Sequence, residues 1–102
     1  MDKPKILTPE EVEKVLPRLP GWTYADDKIS KEFEFSDFVG SLSFINRLVA
    51  YFQEMDHHPD VHIFYSKVKM ELQRFDVGGK VTDRDIEVAK KIEQTYNSEN
   101  KL

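Results

Sequence analysis

The apolar residues of this 102-residue chain follow two different spacings in turn, and this limits the folds that it can adopt. Apolar side chains recur at helical spacing in three segments, residues 12–19, 38–55 and 86–96. Apolar and polar side chains instead alternate, as in half-buried strands, in two segments, residues 22–35 and 61–72. Each alternating segment is long enough for two strands. The pattern predicts the order α-β-β-α-β-β-α, an α+β domain with three helices on one face of a four-stranded, mainly antiparallel sheet.

The first helix and the hairpin after it have clear boundary signals. Thr8 is a predicted N-cap, and Glu11 three residues later completes a capping box. The Pro-Gly-Trp sequence at 20–22 ends this helix early, and residues 26–28 form a turn between two strands. Lys31 interrupts the apolar face of the second strand. We therefore expect Lys31 at a strand end or at an edge of the sheet.

The helix predicted over residues 36–56 has an unusually wide apolar arc. Ser36 is its predicted N-cap, with Asp37 in the first turn. One stripe is Phe38, Leu42, Ile45, Val49 and Phe52, and the stripe beside it is Phe44, Leu48, Tyr51 and Met55. A sheet face covers only one stripe, and a chain this short hardly allows a helix sandwiched inside its own domain. We expect the other stripe to pack against a partner chain.

The last helix is predicted from its first turn. Thr82 is a suitable N-cap, and Asp83 and Asp85 follow it beside the positive end of the helix dipole. Capping by itself accounts for these residues, so we assign them a structural role. Gly78 and Gly79 belong to a loop with no phosphate-binding motif around it, and residues 97–102 form a frayed tail.

Length and composition restrict the class of protein. Residues 1–102 are predicted to form a single domain. The net charge of -4, with both signs interspersed along the chain, argues against a surface that binds nucleic acid. The absence of Cys excludes disulfides, thiolate nucleophiles and cysteine metal sites. Neither a signal peptide nor a stretch long enough to span a membrane is evident, so we expect a soluble, cytoplasmic protein.

Two adjacent histidines, His57 and His58, are the main candidates for chemistry. They stand at the predicted end of the long helix, because Pro59 disfavours helical geometry at the residue before it. Adjacent imidazoles can act as a coupled acid and base near neutral pH. Two alternatives are a solvated helix terminus without chemistry and a metal site shared with His62. Pro59 weakens the metal alternative, since it prevents the helical spacing that makes two histidines a good ligand pair.

Several segments in one order point to a family. They are Asp56-His57-His58-Pro59-Asp60, Tyr65, Lys67-Val68 and residues 82–94, preceded by residues 21–22, 31–38 and 44–55. Together they resemble the pterin-4a-carbinolamine dehydratases over nearly the whole chain. The resemblance implies dehydration of a 4a-hydroxytetrahydropterin to the quinonoid dihydropterin, with neither a metal nor another cofactor. This reaction recycles the pterin that aromatic amino acid hydroxylases oxidise.

The resemblance also assigns residues to a site. His57 and His58 are the acid/base candidates, and Asp56 and Pro59 shape the pocket. The segment Gln73, Arg74, Phe75 and Asp76 supplies substrate-binding candidates, because Arg74 and Asp76 can hydrogen-bond the polar edge of a pterin; the alternative for both is a solvated charge at a strand end. Phe75 stands where the family usually has a third histidine, and Gln53 stands where it usually has an acid. Phenylalanine cannot transfer a proton, although its ring can stack on a flat pterin. His62 is a substitute for the third histidine only if its strand face turns toward the pocket.

The same resemblance implies a homotetramer. It is built on a dimer of sheets, with the long helices at 36–56 packing together, as the two apolar stripes suggest. The alternative function is a non-catalytic oligomerisation or interaction module on the same fold, similar to family members that bind a transcription factor. Phe75 favours this alternative. The Asp-His-His-Pro motif favours the enzyme, because neither helix packing nor solubility requires two adjacent histidines.

Overall fold

The computed structural model describes residues 4–73 and 78–99, and this part of the chain has the predicted element order. The helices are α1 (Pro9–Val15), α2 (Phe38–Met55) and α3 (Asp83–Glu99), and the strands are β1 (Thr23–Ala25), β2 (Lys28–Glu34), β3 (Asp60–Phe64) and β4 (Lys67–Leu72). A turn of 3-10 helix, Leu16–Arg18, follows α1. Helix α3 continues through residues 97–99, where fraying was expected. Among the described residues, no helix combines the length and apolarity needed to cross a membrane.

The four strands form one antiparallel sheet in the order β1-β2-β4-β3. Phe33 lies opposite Val68, and Ile29 lies opposite Leu72, so these side chains share one face. All four are buried, because this is the face that the helices cover. The other face carries the charged side chains of β4 and those of β2 except Lys31. The α+β architecture predicted from the spacing of apolar residues is therefore confirmed.

An aromatic cluster joins the sheet to the helices. The ring of Phe33 on β2 lies 5.2 Å from the ring of Phe44 on α2 and 4.9 Å from that of Tyr96 on α3, measured between centroids. Such tilted contacts add to the gain from removing large apolar side chains from water. The cluster holds α2 and α3 against the sheet, and their ends carry the residues of the candidate site.

Helix capping agrees with the sequence at α1 but not at α2. The Glu11 N–H donates to Thr8 Oγ1 at 3.2 Å, and Glu11 Oε1 accepts from the Thr8 N–H at 2.9 Å, which confirms the capping box. At α2 the N-cap is Asp37, whose Oδ1 accepts from the Gly40 N–H at 2.8 Å. The prediction of Ser36 as the N-cap was wrong by one residue. Both types can cap a helix, and backbone geometry decides between them.

Two hairpin turns contain non-glycine residues in the left-handed region. Asp26 and Asp27, with φ of 53° and 60°, join β1 to β2. A pair of left-handed residues matches the twist of a two-residue hairpin, and Asp tolerates this region better than most residues do. Tyr65, with φ of 57°, lies in the turn between β3 and β4. The third strand is therefore shorter than predicted, and Tyr65 is exposed.

Lys31 lies in the middle of β2, so the prediction of a strand end was wrong. The pairing of β2 with β1 stops at Ser30, so Lys31 is paired with β4 alone and lies at an open edge of the sheet on the β1 side, as predicted. Its side chain points to the helix-covered face, opposite buried Met70. The Lys31 ammonium donates to Pro20 O at 2.9 Å and forms an ion pair with Glu93. Glu93 also accepts from Trp22 Nε1 at 2.9 Å. Lys31 is tolerated inside the sheet because α3 supplies an opposite charge there.

Replacing Lys31 by methionine should therefore destabilise the fold. We expect a loss of about 1–3 kcal/mol in the free energy of unfolding, because Glu93 keeps its charge in a mostly buried place without an opposite charge beside it. The double variant Lys31→Met/Glu93→Gln should recover most of this loss, since the amide is neutral and its oxygen still accepts from Trp22. Urea unfolding of the three proteins measures the effect. A Lys31→Met protein as stable as the unmodified chain would contradict the assignment.

Candidate active site

The C-terminus of α2 turns sharply at Asp56, which adopts the left-handed conformation (φ 49°, ψ 45°). The Asp56 N–H donates to Gln53 O at 3.2 Å, and the His57 N–H donates to Phe52 O at 3.1 Å. These bonds satisfy carbonyls that a helix end otherwise leaves free. The helix ends at Met55, which agrees with the end predicted from the position of Pro59. The two histidines follow in a fixed, non-helical backbone.

His57 is buried and paired with a buried acid. Its side chain is 4% exposed, and its Nε2 is hydrogen-bonded to Oδ1 of Asp85, whose side chain is 0% exposed. Asp85 Oδ2 accepts from the backbone N–H of Thr82 at 2.7 Å and from its hydroxyl at 3.1 Å. An ionised carboxylate only accepts hydrogen bonds, so Nε2 of His57 carries a hydrogen. The ring is thereby fixed in orientation, and Nδ1 is its remaining proton-exchange position.

Asp85 is the site residue that reasoning from the sequence missed. The Thr82 interactions confirm the predicted role at the start of α3, but they occupy only one carboxylate oxygen. The sequence did contain a signal. Asp85 precedes buried Ala89 and Ile92 by four and seven residues, so it lies on the apolar stripe of the helix. An acid on such a stripe is buried and requires a partner, which is His57.

A second contact fixes the ends of α2 and α3 relative to each other. The Arg84 guanidinium donates through Nη1 to the carbonyl oxygen of Met55 at 3.3 Å. Met55 is the last residue of α2, and Arg84 lies in the first turn of α3. A cation beside the carbonyls of a helix C-terminus is favourable. Together, Arg84 and Asp85 attach α3 to the segment that carries both histidines.

His58 lies at the surface, unlike its neighbour. It is exposed, and its Nε2 is 2.5 Å from Oε1 of Gln53 in the last turn of α2. Its ring centroid is 6.5 Å from that of Phe52. One imidazole is thus held inside the protein by a carboxylate, and the other is held at the surface by an amide. The pair presents one inner and one outer group for proton transfer.

The other predicted site residues are only partly gathered here. Asp56 and Pro59 flank the histidines, with Asp56 exposed and Pro59 half-buried. A methyl group at Gly79 would meet Oε1 of Gln73 at 2.7 Å, so the Gln73 amide lies against that glycine. Among the described residues, no hydrogen bond joins Gln73 to His57 or His58. Arg74, Phe75 and Asp76, the remaining predicted residues, lie outside the described residues.

His62 is on the wrong side of the sheet to join the pair. It lies opposite Lys69 in the β3–β4 register, on the face away from the helices. Its Nε2 is 3.1 Å from Glu71 Oε1, and its ring stacks on Phe64 with an interplanar angle of 14°. It therefore cannot replace a third active-site histidine. The described residues contain no group of three or more His, Cys, Asp or Glu that could hold a metal ion.

Glu71 should make the stability of the fold depend on pH. Burial alone raises the pKa of Glu71, but hydrogen bonds from Lys28 and His62 outweigh this effect and lower the pKa below its ordinary value of 4.5. The ionised carboxylate therefore stabilises the folded state above pH 4.5, and this contribution is lost as the pH falls through the lowered pKa. As the pH is lowered below 4.5, the free energy of unfolding should fall less steeply for Glu71→Gln than for the unmodified chain. Urea unfolding above and below this pH measures the two slopes. Equal slopes would exclude this contribution.

Comparisons with known proteins agree with the geometry of the fold. The family described as "Pterin 4 alpha carbinolamine dehydratase" matches residues 5–95. A protein of Thermosynechococcus vestitus named "Putative pterin-4-alpha-carbinolamine dehydratase" is 43% identical over 86 residues, covering 84% of this chain and 90% of that protein. A protein of the same name from Sulfolobus acidocaldarius is 40% identical, covering 84% and 93% of the two chains.

Solved structures show the same fold. The crystal structure of a transcriptional coactivator/pterin dehydratase from Brucella melitensis has a TM-score of 0.84 and 31% identity, over 90% of this chain and 99% of that chain. A pterin dehydratase-like protein, identified as a RuBisCO assembly factor in the alpha-carboxysome, has a TM-score of 0.59 over 74% and 86% of the two chains. Its 17% identity supports the fold alone. With the match over residues 5–95, this chain belongs to the pterin 4 alpha carbinolamine dehydratase family.

Proposed function

We propose that this protein catalyses the dehydration of a 4a-hydroxytetrahydropterin to the quinonoid dihydropterin. The substrate carries a hydroxyl group and a ring nitrogen on the same carbon. One proton is delivered to the hydroxyl oxygen, the C–O bond breaks, and the nitrogen lone pair forms a C=N double bond. The ring system then loses one proton, and water leaves. The step needs a proton donor and a proton acceptor, which two imidazoles supply without a metal.

The observation that carries the proposal is the arrangement of His57 and His58. His57 is oriented by Asp85, and adjacent His58 is exposed and within reach of a ligand from solvent. A positioned general acid or base contributes about a hundred- to ten-thousandfold in rate. We therefore propose that two histidines suffice, although Phe75 replaces the third one of the family. The proposed role is recycling of the tetrahydropterin cofactor of aromatic amino acid hydroxylases in the cytoplasm.

Stopped-flow absorbance of 4a-hydroxytetrahydropterin, with and without the purified protein, tests the activity. Acceleration over the spontaneous reaction is the expected result. A Phe75→His variant measured beside it shows whether a third imidazole adds to the rate. No acceleration by the unmodified chain, together with rescue by the variant, would indicate a pocket that has lost its chemistry and would overturn the proposal.

We also propose that copies of this chain associate through α2. The buried face of α2 is Ser41, Phe44, Leu48 and Phe52, whereas Phe38, Val39, Leu42 and Val49 are exposed. On edge strand β3, Val61 and Ile63 are exposed on the helix side of the sheet. Several large apolar side chains exposed on one helix and on the neighbouring sheet edge of a small domain favour an interface. A homotetramer that joins the helices and the sheet edges, as the family resemblance implies, covers both regions.

The structure identifies the residues with which to test association. Leu42→Glu/Val49→Glu should convert the oligomer into smaller species in analytical ultracentrifugation, because both side chains are exposed in the single chain. Leu48, a member of the second predicted stripe, is unsuitable because it is fully buried in its own chain. An unmodified protein that sediments as a monomer would refute the association.

The second candidate function is a non-catalytic interaction module. The exposed face of α2 favours it, and the related Brucella melitensis protein is described as a transcriptional coactivator as well as a pterin dehydratase. The stopped-flow experiment separates the two candidates. An inactive protein that oligomerises normally, and in which Phe75→His restores no activity, would support the interaction module.

A further inference from the structure

Gln53 is placed to control the proton chemistry of His58. It lies in the last turn of α2, five residues before His58, and its amide oxygen is 2.5 Å from Nε2 of the ring. We infer that Gln53 is a positioning residue that keeps the hydrogen of His58 on Nε2, so that His58 exchanges protons with its ligand through Nδ1. The catalytic part of this inference rests on the proposed dehydratase function.

The donor and acceptor capacities of the two groups decide which ring nitrogen of His58 carries the hydrogen. An amide oxygen only accepts hydrogen bonds, so the ring nitrogen that faces it carries a hydrogen. A neutral imidazole has one N–H, and its other nitrogen has a lone pair. With Nε2 bonded to Gln53, the lone pair of neutral His58 is on Nδ1. Within the described part of the chain, no other group forms a hydrogen bond with this ring.

The backbone holds the two side chains at this distance. The carbonyl oxygen of Gln53 accepts from the Asp56 N–H at 3.2 Å, which fixes the turn between α2 and the histidines. Pro59 restricts the backbone of His58 to extended conformations. The Phe52 ring, 6.5 Å away between centroids, lies beside the imidazole. His58 therefore has a defined ring orientation, although it is exposed.

This arrangement allows His58 to gain and lose a proton without moving. Nε2 donates to Gln53 in both the neutral and the charged ring, so the bond persists through the cycle while Nδ1 accepts and releases the proton. His57 follows the same rule, with Asp85 as the acceptor for its Nε2. Both imidazoles of the pair thus use Nδ1 for exchange. An amide differs from the carboxylate at His57 because it orients the ring without adding a charge.

Nitrogen-15 NMR of the imidazole rings tests the assignment without any substrate. Two-bond correlations distinguish the two neutral tautomers, and we expect His58 of the unmodified chain to be in the Nε2–H form. Gln53→Leu should populate the Nδ1–H form, whereas Gln53→Glu, which keeps an acceptor, should retain Nε2–H. Gln94→Leu, the same change at an exposed glutamine of α3, is the matched control and should alter neither ring. An Nδ1–H form in the unmodified chain would overturn the inference.

Kinetics then connect the tautomer to catalysis. Gln53→Leu should lower kcat for dehydration by about tenfold, the lower range for partners that orient an active group, with little change in KM. Gln53→Glu should keep most of kcat but shift its pH profile, because a carboxylate adds a charge beside the ring. The expected tautomer in a protein without dehydratase activity would overturn the proposed function alone. Normal activity in Gln53→Leu despite a changed tautomer would overturn the positioning role.

Discussion

Replacing His58 by alanine is expected to lower kcat for dehydration by about a hundred- to ten-thousandfold, the usual contribution of a general acid or base. Stability should change by less than about 0.5 kcal/mol, because the side chain is exposed and surface substitutions have small effects. A loss of rate without a loss of stability identifies a chemical role. Stopped-flow kinetics and urea unfolding on the same preparation measure both quantities.

His62→Ala is the matched control for this experiment. His62 is also exposed and hydrogen-bonded through Nε2, and its partner is Glu71. Both residues lie on the face of the sheet away from the helices and from the histidine pair. Its removal should leave kcat unchanged. Equal losses from His58→Ala and His62→Ala would mean that the effect is not specific to the pair. An unchanged rate in His58→Ala would refute the role of His58 in proton transfer.

The second large effect is expected at Asp85. Asp85→Ala should reduce the free energy of unfolding by about 3–5 kcal/mol, because it leaves several buried hydrogen-bonding groups unpaired at once. The change leaves His57 buried without its acceptor, and it also leaves the N–H and hydroxyl of Thr82 unpaired. We expect kcat to fall as well, since the His57 ring is no longer oriented. Urea unfolding and stopped-flow kinetics quantify the two losses.

A control at Asp83 and a double-mutant cycle make this prediction specific. Asp83 also lies in the first turn of α3, but it is exposed, and Asp83→Ala should cost about 1 kcal/mol or less. Combining Asp85→Ala with His57→Ala should cost less than the sum of the single changes, because the two side chains interact directly. Strictly additive losses would show that the pair does not interact in solution.

The elements of the fold were predictable because they depend on local patterns. The capping box at Thr8, the turn predicted at residues 26–28 and the helix end before Pro59 each involve neighbours in the chain. Lys31 was not expected in the middle of a strand, because its position there depends on Glu93, which is 62 residues away. Spacing along one segment contains no information about a partner on another.

The candidate site divides in the same way. His57 and His58 stood out as adjacent imidazoles at a helix end, whereas Asp85 was interpreted as a cap only. Its second function depends on α3 passing beside the end of α2, where Asp85 meets His57. The substrate-binding role of Gln73 remains a prediction, because the structure places its amide against Gly79.

The two apolar stripes of α2 show which properties follow from the sequence and which depend on the tertiary structure. The sequence by itself determined the order of the elements, the two adjacent apolar stripes and the histidine pair, because residue spacing and helix termination are local properties. Only the tertiary structure decided that Phe52 joins Phe44 and Leu48 in the core while Leu42 and Val49 stay exposed. The same packing decided that His57 is inside and His58 outside. Burial depends on how the elements dock, and docking is set by contacts between residues far apart in the chain.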